Sequence, residues 1–240
     1  MSQSRGRYVL YSTSKAGLRL ERTIGWLLTK DNRTDDVVEF VIHPERRYQS
    51  IIGFGAAFTD AAGYNIVNLS EGSRDHLLRS YYGAEGIELN MGRVPMGCSQ
   101  FSRRGYSYAD VPGDLYLKHF ALQAEDYVLK LPLIKKVNDI TNGKLKLIGT
   151  PWTAPFWMKT NKNITGFGML RFEYYQVWAD YFVRFLKEYR MQGVEFWGIS
   201  TQNRPSKGLV ESELSPSMGW TSRSMSQFIS KYLGPTVHES

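Results

Sequence analysis

Apolar and polar positions follow two different rhythms along this chain. Up to about residue 50, Tyr8-Val-Leu-Tyr-Ser-Thr, Gly17-Leu-Arg-Leu-Glu-Arg and Val37-Val-Glu-Phe-Val-Ile mix apolar with polar at short period. That is the pattern of antiparallel strands with one face covered, and Asp31-Asn32-Arg33 supplies a turn between two of them. From residue 51 the rhythm changes to short apolar runs separated by longer helical stretches. The runs predict strands over 51–58, 89–95, 145–150 and 194–202, and the stretches predict helices near 63–81, 115–137, 172–191 and 222–233. The third helix is the clearest, because Tyr175, Trp178, Phe182, Phe185 and Tyr189 fall three and four apart on one stripe.

Strand, helix, strand at intervals of roughly 40–55 residues is the rhythm of βαβ units in a parallel sheet. The fold class is therefore α/β. Four such units make half of an eight-fold barrel, which alone needs about 250 residues. The expected organisation is residues 1–50 as strands of a partial β-sandwich domain and residues 51–240 as the N-terminal half of a (β/α)8 TIM barrel. Such a half barrel leaves strand edges open, so the isolated chain is expected to be poorly soluble.

Composition narrows the class further. The 240 residues are 42% hydrophobic and 14% aromatic, enough for a packed core. No apolar run is long enough to cross a membrane, and the polar start Met1-Ser-Gln-Ser-Arg-Gly-Arg is not a secretory signal. The charge of +7 is spread over scattered pairs such as Arg46-Arg47, Arg103-Arg104 and Lys135-Lys136. Without a recognition motif this predicts a solvated basic surface rather than nucleic-acid binding, with an anionic lipid surface as the alternative. Cys98 is a small buried hydrophobe by expectation, and His43, His76, His119 and His238 lack metal-ligand spacing, so neither a metal nor a cofactor is expected. Gly53-Phe-Gly55-Ala-Ala lacks the third glycine of a dinucleotide loop. Three glycosylation sequons begin at Asn32, Asn68 and Asn163.

In parallel barrels, chemistry is done at the C-terminal tips of the strands. The four tips read Gly53-Phe-Gly-Ala-Ala-Phe-Thr-Asp60, Gly92-Arg93-Val-Pro-Met96, Thr150-Pro-Trp152-Thr-Ala-Pro155 and Gln202-Asn203-Arg204-Pro205. A carboxylate, a guanidinium, an indole and an amide are thus expected to ring one mouth, the indole as a platform for a sugar face and Asp60 and Asn203 as hydroxyl partners. Blander readings stand beside these. Asp60 before Ala61-Ala62 suits a helix cap, Trp152 suits the core, and a buried Arg93 suits a structural ion pair.

These tips, with Tyr106-Ser-Tyr-Ala-Asp110, Lys130-Leu-Pro-Leu-Ile134 and Trp178-Ala-Asp-Tyr-Phe-Val-Arg-Phe-Leu186, resemble the glucosylceramidases of glycoside hydrolase family 30. The resemblance runs from about Arg7 to Ser240. It implies a retaining glycosidase that cleaves the β-glucosidic bond of glucosylceramide in sphingolipid metabolism. It also implies a lysosomal setting, a glycolipid substrate at a membrane surface and a saposin-type activator as partner. It assigns Asp60 to glucose hydroxyls, Trp152 to the sugar site, Asn203 to the 2-hydroxyl and Arg93 to support of the acidic groups.

Two departures follow from the same resemblance. The acid/base position is Arg204, and the nucleophilic glutamate belongs to a strand that is not in this chain. Arginine gives up no proton at working pH, so the chain is expected to be inactive as written. Glu211 and Glu213, in the loop after the fourth strand, are the candidate surrogate acids, though loop glutamates are usually solvated. The rival readings are a non-catalytic glycolipid-binding or regulatory pseudoenzyme and a family-30 hydrolase of another β-glycoside.

Overall fold

The computed structural model describes residues 6–27 and 40–240. The turn expected at 31–33, the start of the strand expected from residue 37 and the sequon at Asn32 lie outside them. The chain divides into two compact units, residues 1–52 and residues 53–240.

In the first unit, β1 (Arg7–Ser12) pairs antiparallel with β2 (Glu21–Trp26), Arg7 opposite Trp26 and Ser12 opposite Glu21. The second strand starts later than the expected Gly17. Gly17 at φ 127° and Leu20 at φ 49° bend the backbone, and the Arg19 guanidinium donates to the Ser14 and Leu18 carbonyls, closing a turn instead. Residues 40–52 form no regular strand.

The second unit is built on a four-stranded parallel sheet in the order β3-β4-β5-β6. The strands are β3 (Gly55–Ala57), β4 (Met91–Met96), β5 (Lys146–Pro151) and β6 (Gly198–Ile199). The outer two are shorter than expected. β6 nevertheless follows β5 further than its length implies, since Trp197, Ser200 and Asn203 donate their backbone N–H groups to Leu147, Gly149 and Pro151. That last bond delivers Asn203 to the tip of β5. Close packing of the sheet needs Gly92, where a Cβ would sit 2.5 Å from the Phe58 ring and 2.8 Å from Leu147.

Helices α1 (Asp60–Val67) and α2 (Glu71–Tyr82) replace the single helix expected over 63–81. Thr59 caps the first by accepting from Ala62 N, and Ser70 caps the second by accepting from Ser73 N, so the chain restarts its helix at Ser70. The helix expected from 115 begins only near residue 124, because the Asp114 carboxylate accepts from Lys118 N and His119 N and folds that stretch into turns. It then makes a π turn at Asp126–Lys130 before α3 (Leu131–Ile140). α4 (Tyr175–Met191) matches the expected stripe, with Tyr175, Trp178, Phe182, Phe185 and Tyr189 all buried. α5 (Ser222–Phe228) passes through a π turn into α6 (Gly234–His238).

Beneath the tip of β4 lies a fully buried ion pair, Lys130 Nζ to Asp126 Oδ1 at 3.1 Å. The π turn brings these i,i+4 side chains to one side. Lys130 also donates to the Pro95 and Gly97 carbonyls at 3.2 Å, and Asp126 Oδ1 accepts from the Tyr108 and Tyr189 hydroxyls at 2.7 and 2.6 Å. Gln123 N donates to Asp126 Oδ2. Burial and the neighbouring carboxylate push both tyrosine pKa values well up, so both hydroxyls remain donors. Removing one charge strands the other in the core. Asp126→Ala is expected to lower unfolding free energy by about 3–5 kcal/mol, and Tyr189→Phe by about 1–2 kcal/mol, measured by urea unfolding. Equal, small losses for both would contradict this ordering.

Candidate functional site

The strand tips bring together three of the expected side chains. Arg93 Nε donates to Thr150 Oγ1 at 3.1 Å, and Arg93 Nη2 donates to Asn203 Oδ1 at 2.9 Å. The Arg93 guanidinium carbon lies 4.5 Å from the centre of the Trp152 ring. Ser200 Oγ donates to Thr150 Oγ1 at 2.8 Å, so a polar layer crosses β4, β5 and the end of β6. Register explains the layer. Arg93 pairs with Ile148, and Thr150 stands two residues further along the same face. The buried Gln202 amide ties the two tips, donating to the carbonyls of Trp152 at 2.7 Å and Asn203 at 3.1 Å.

Arg93 therefore is not the structural ion pair weighed from sequence. Its partners are a hydroxyl, an amide and an indole face, with no carboxylate within ion-pair distance among the described residues. Burial lowers its pKa, and the nearby Arg204 charge lowers it further. Trp152 is both core and site: it is only 7% exposed, and one ring face carries Arg93.

A cavity of about 120 Å³ opens at these tips, lined by Trp152, Asn203 and Arg204 together with Gln100, Lys207, Glu213 and Ser215–Ser217. Arg204 is exposed and sits at φ 43°, ψ 63°, a left-handed conformation, at the entry to a 3₁₀ turn over Pro205–Leu209. That backbone costs a non-glycine residue roughly 1–2 kcal/mol.

Glu213, one of the two candidate surrogate acids, lines this cavity. Its carboxylate accepts from the Ser215 hydroxyl and from Ser215 N at 3.0 Å, and Lys207 Nζ stands 3.6 Å away. The Ser215 hydrogen bonds, with Lys207, hold its pKa below the usual carboxylate range, so it is ionised and unsuited to donate a proton. Glu211 is exposed and is not part of the cavity wall.

Asp60 is buried but turned elsewhere. It is the first residue of α1, with Thr59 as the cap, so the capping role weighed for it falls to its neighbour. Its Oδ1 accepts from Ser102 Oγ at 2.7 Å and Ser99 Oγ at 3.5 Å. It lines a separate cavity of about 450 Å³ with Tyr64, Arg103, Arg104 and Glu125. The loop 97–102 joins the two cavities' walls: Gly97 leaves β4 at φ 87°, Ser99 and Ser102 serve Asp60, and Gln100 reaches the strand-tip cavity.

A second buried amine supports the far wall. Lys159 is fully buried and donates through Nζ to the Ser217 carbonyl at 2.7 Å. No sequence signal marked it. Cys98 is buried as expected, its thiol pushed up to about 11 by burial.

A parallel strand array with polar side chains gathered at its C-terminal tips fits the barrel-type α/β class, in which ligand sites lie at that end. The chain belongs to glycoside hydrolase family 30, whose description as a TIM-barrel domain matches residues 51–240. It is 41% identical over 238 residues to "Putative glucosylceramidase 3" of Caenorhabditis elegans. It is 38% identical over 239 residues to lysosomal acid glucosylceramidase of Mus musculus. Each comparison covers 98% of this chain and 46% of the relative, so the chain spans about half the length of these proteins. Among solved structures, SrfJ from Salmonella typhimurium is similar at a TM-score of 0.81 and 29% identity, covering 98% of this chain and 51% of that one.

Two outcomes test the site's physics. Burial lowers the Lys159 pKa from 10.5 to about 7. The unfolded chain therefore binds the proton more tightly, and this group's penalty on stability shrinks as pH rises from about 7 to 10.5. Lys159→Met is expected to flatten that rise relative to wild type when unfolding is followed across the range, and parallel curves would contradict it. Arg204→Gly is expected to raise unfolding free energy by about 1 kcal/mol, by relieving the left-handed backbone; a loss of stability would mean that the arginine side chain holds the tip together.

Proposed function

We propose that this chain is the first-to-fourth-strand portion of a glucosylceramidase-type retaining β-glucosidase and that it is inactive as it stands. In this reading residues 7–50 belong to a β-sandwich domain, with β1 and β2 as its leading strands, and residues 51–240 are the first four βα units of an eight-fold barrel. The strand order β3-β4-β5-β6, all parallel, supports that half-barrel reading, as does the half-length coverage of the relatives. The setting is lysosomal, as the mouse relative's name supports; a glycolipid presented at a membrane surface and a saposin-type activator as partner belong to the same reading.

The observation that carries the reading is the tip of the fourth barrel strand. Asn203 and Arg204 share a cavity with Trp152, and Arg93 holds Asn203 in place. Asn203 meets the sugar 2-hydroxyl, Trp152 walls the sugar site, and Arg93 braces both. Asp60 holds further hydroxyls once Ser99 and Ser102 release its carboxylate to the ligand.

Retaining glycosidases need two carboxyl groups about 5–5.5 Å apart, one a nucleophile and one an acid that later serves as base. Arg204 occupies the place of the second. Its guanidinium neither donates a proton in the transition state nor accepts one from water. A fixed cation also opposes the positive charge that grows on the sugar ring. Glu213 does not repair this, because its carboxyl is already ionised.

The chain is expected to release no 4-methylumbelliferone from its β-glucoside at acid pH. In a chimera carrying residues 1–240 ahead of the matching remainder of the mouse relative, Arg204→Glu is expected to raise kcat by about 10²–10⁴-fold. Equal rates with Arg204 and Glu at this position would overturn the assignment of position 204, and turnover by the 240-residue chain itself would overturn its inactivity.

A further inference from the structure

Two of the glycosylation sequons, those at Asn68 and Asn163, lie among the described residues, and the fold uses their asparagines differently. Both are exposed. Asn68 closes α1 and Ser70 caps α2, so the first and third residues of Asn68-Leu-Ser70 are built into a helix junction. Asn68 Nδ2, the atom that would carry a glycan, donates to the Tyr64 carbonyl at 2.7 Å, and the Ser70 hydroxyl accepts from Ser73 N. Asn163-Ile-Thr165 stands instead in an irregular loop over 160–168, the kind of surface segment that an attached sugar chain needs.

The bonds that hold this loop leave the Asn163 nitrogen out of use. Lys162 turns the chain at φ 50°. Asn161 Oδ1 accepts from Asn163 N at 3.2 Å, and Asn161 Nδ2 donates to the Thr165 carbonyl at 2.8 Å. Asn163 engages Thr165 only through its oxygen, Oδ1 accepting from Thr165 N at 3.3 Å and from the Thr165 hydroxyl at 3.4 Å. With the carbonyl oxygen facing Thr165, the amide nitrogen faces away from it. Ile164 is the anchor between them: it is half-buried, and its Cδ1 occupies the space that a Cβ on Gly105 would fill. Main-chain bonds then fix the loop, Ser217 N donating to the Ile164 carbonyl at 3.0 Å and Gly166 N to the Glu213 carbonyl at 2.8 Å.

We propose that Asn163 is an N-glycosylation site, its Nδ2 carrying an oligosaccharide on the loop that braces the far wall of the strand-tip cavity. In the transfer, Nδ2 bonds to the anomeric carbon of an oligosaccharide held on a lipid pyrophosphate. The bond from that carbon to the pyrophosphate oxygen breaks, the lipid pyrophosphate leaves with the electron pair, and the amide gives up one proton. Asn163 keeps its Oδ1, so both bonds from Thr165 survive the modification. Passage of the protein through the secretory route rests on the lysosomal reading above, whereas the geometry of the acceptor does not.

The test is translation with microsomes of the 240-residue chain behind a supplied signal sequence, and of the same chain in the chimera with the mouse relative. Only protease-protected chain is scored, so the result is independent of where the natural protein goes. In both, peptide N-glycosidase is expected to release a glycan and leave aspartate at position 163 in the peptide mass spectrum. Asn163→Gln and Thr165→Ala are each expected to abolish the glycan at this loop, and Thr165→Ser to keep it, since serine preserves the sequon hydroxyl. Protected chain with unmodified Asn163, or with a glycan at Asn68 and none at Asn163, overturns the site and leaves the glycosidase reading standing. A glycan at Asn163 in the 240-residue chain but not in the chimera also overturns it.

Discussion

The buried pair of Lys130 and Asp126 is the constraint from which the strand-tip architecture follows. Two charges with no exposed surface are tolerable only if every remaining donor and acceptor is engaged. Here the lysine reaches two backbone carbonyls at the end of β4, and the aspartate gathers two tyrosine hydroxyls and a backbone N–H. The pair therefore ties a helix, the long segment containing Tyr108, the aromatic face of α4 and the exit of β4 to one point. Tyr108 extends the tie by stacking near Phe185 and bonding through its backbone N–H to the Tyr181 hydroxyl.

What that point fixes is the path of the chain after β4. Gly97, whose carbonyl Lys130 holds, turns into the loop that offers Ser99 and Ser102 to Asp60 and Gln100 to the strand-tip cavity. Two residues before the held Pro95 carbonyl, Arg93 emerges on the other side of the constraint and spreads over Thr150, Asn203 and Trp152. The cavity wall opposite is held in a similar manner by a second buried amine, Lys159, on the Ser217 carbonyl. Both buried lysines hold backbone carbonyls, while Arg93 is held by a hydroxyl, an amide and an indole face.

Much of this was legible in the sequence, for physical reasons that differ from element to element. The stripe from Tyr175 to Tyr189 needed only helical spacing, and the parallel class needed only the alternation of runs. Strand tips could be read because a barrel puts its chemistry there, which placed Arg93, Trp152, Asn203 and Arg204 together. Lengths and breaks were harder. The split at Ser70, the turn at Gly17–Leu20 and the fold of 114–120 around Asp114 depend on single side chains competing for backbone groups. Asp60 carries no mark in sequence of the serines that turn it toward the neighbouring cavity. Lys130 and Asp126 stand only four apart, but nothing local marks them as a buried pair, because the hydroxyls and carbonyls that enclose them lie 18 to 63 positions away; the partner of Lys159 is as distant, and those of Glu213 sit in an irregular loop.

The mouth of this strand array is built on Arg93, locked between Thr150, Asn203 and Trp152, with Arg204 exposed beside it. Arginine side-chain Nε–Hε correlation by NMR on the 240-residue chain reads this directly. A sharp, slowly exchanging Arg93 signal, shifted by the Trp152 ring, and a rapidly exchanging Arg204 signal are expected. An Arg93 signal that exchanges and averages like those of surface arginines would contradict this.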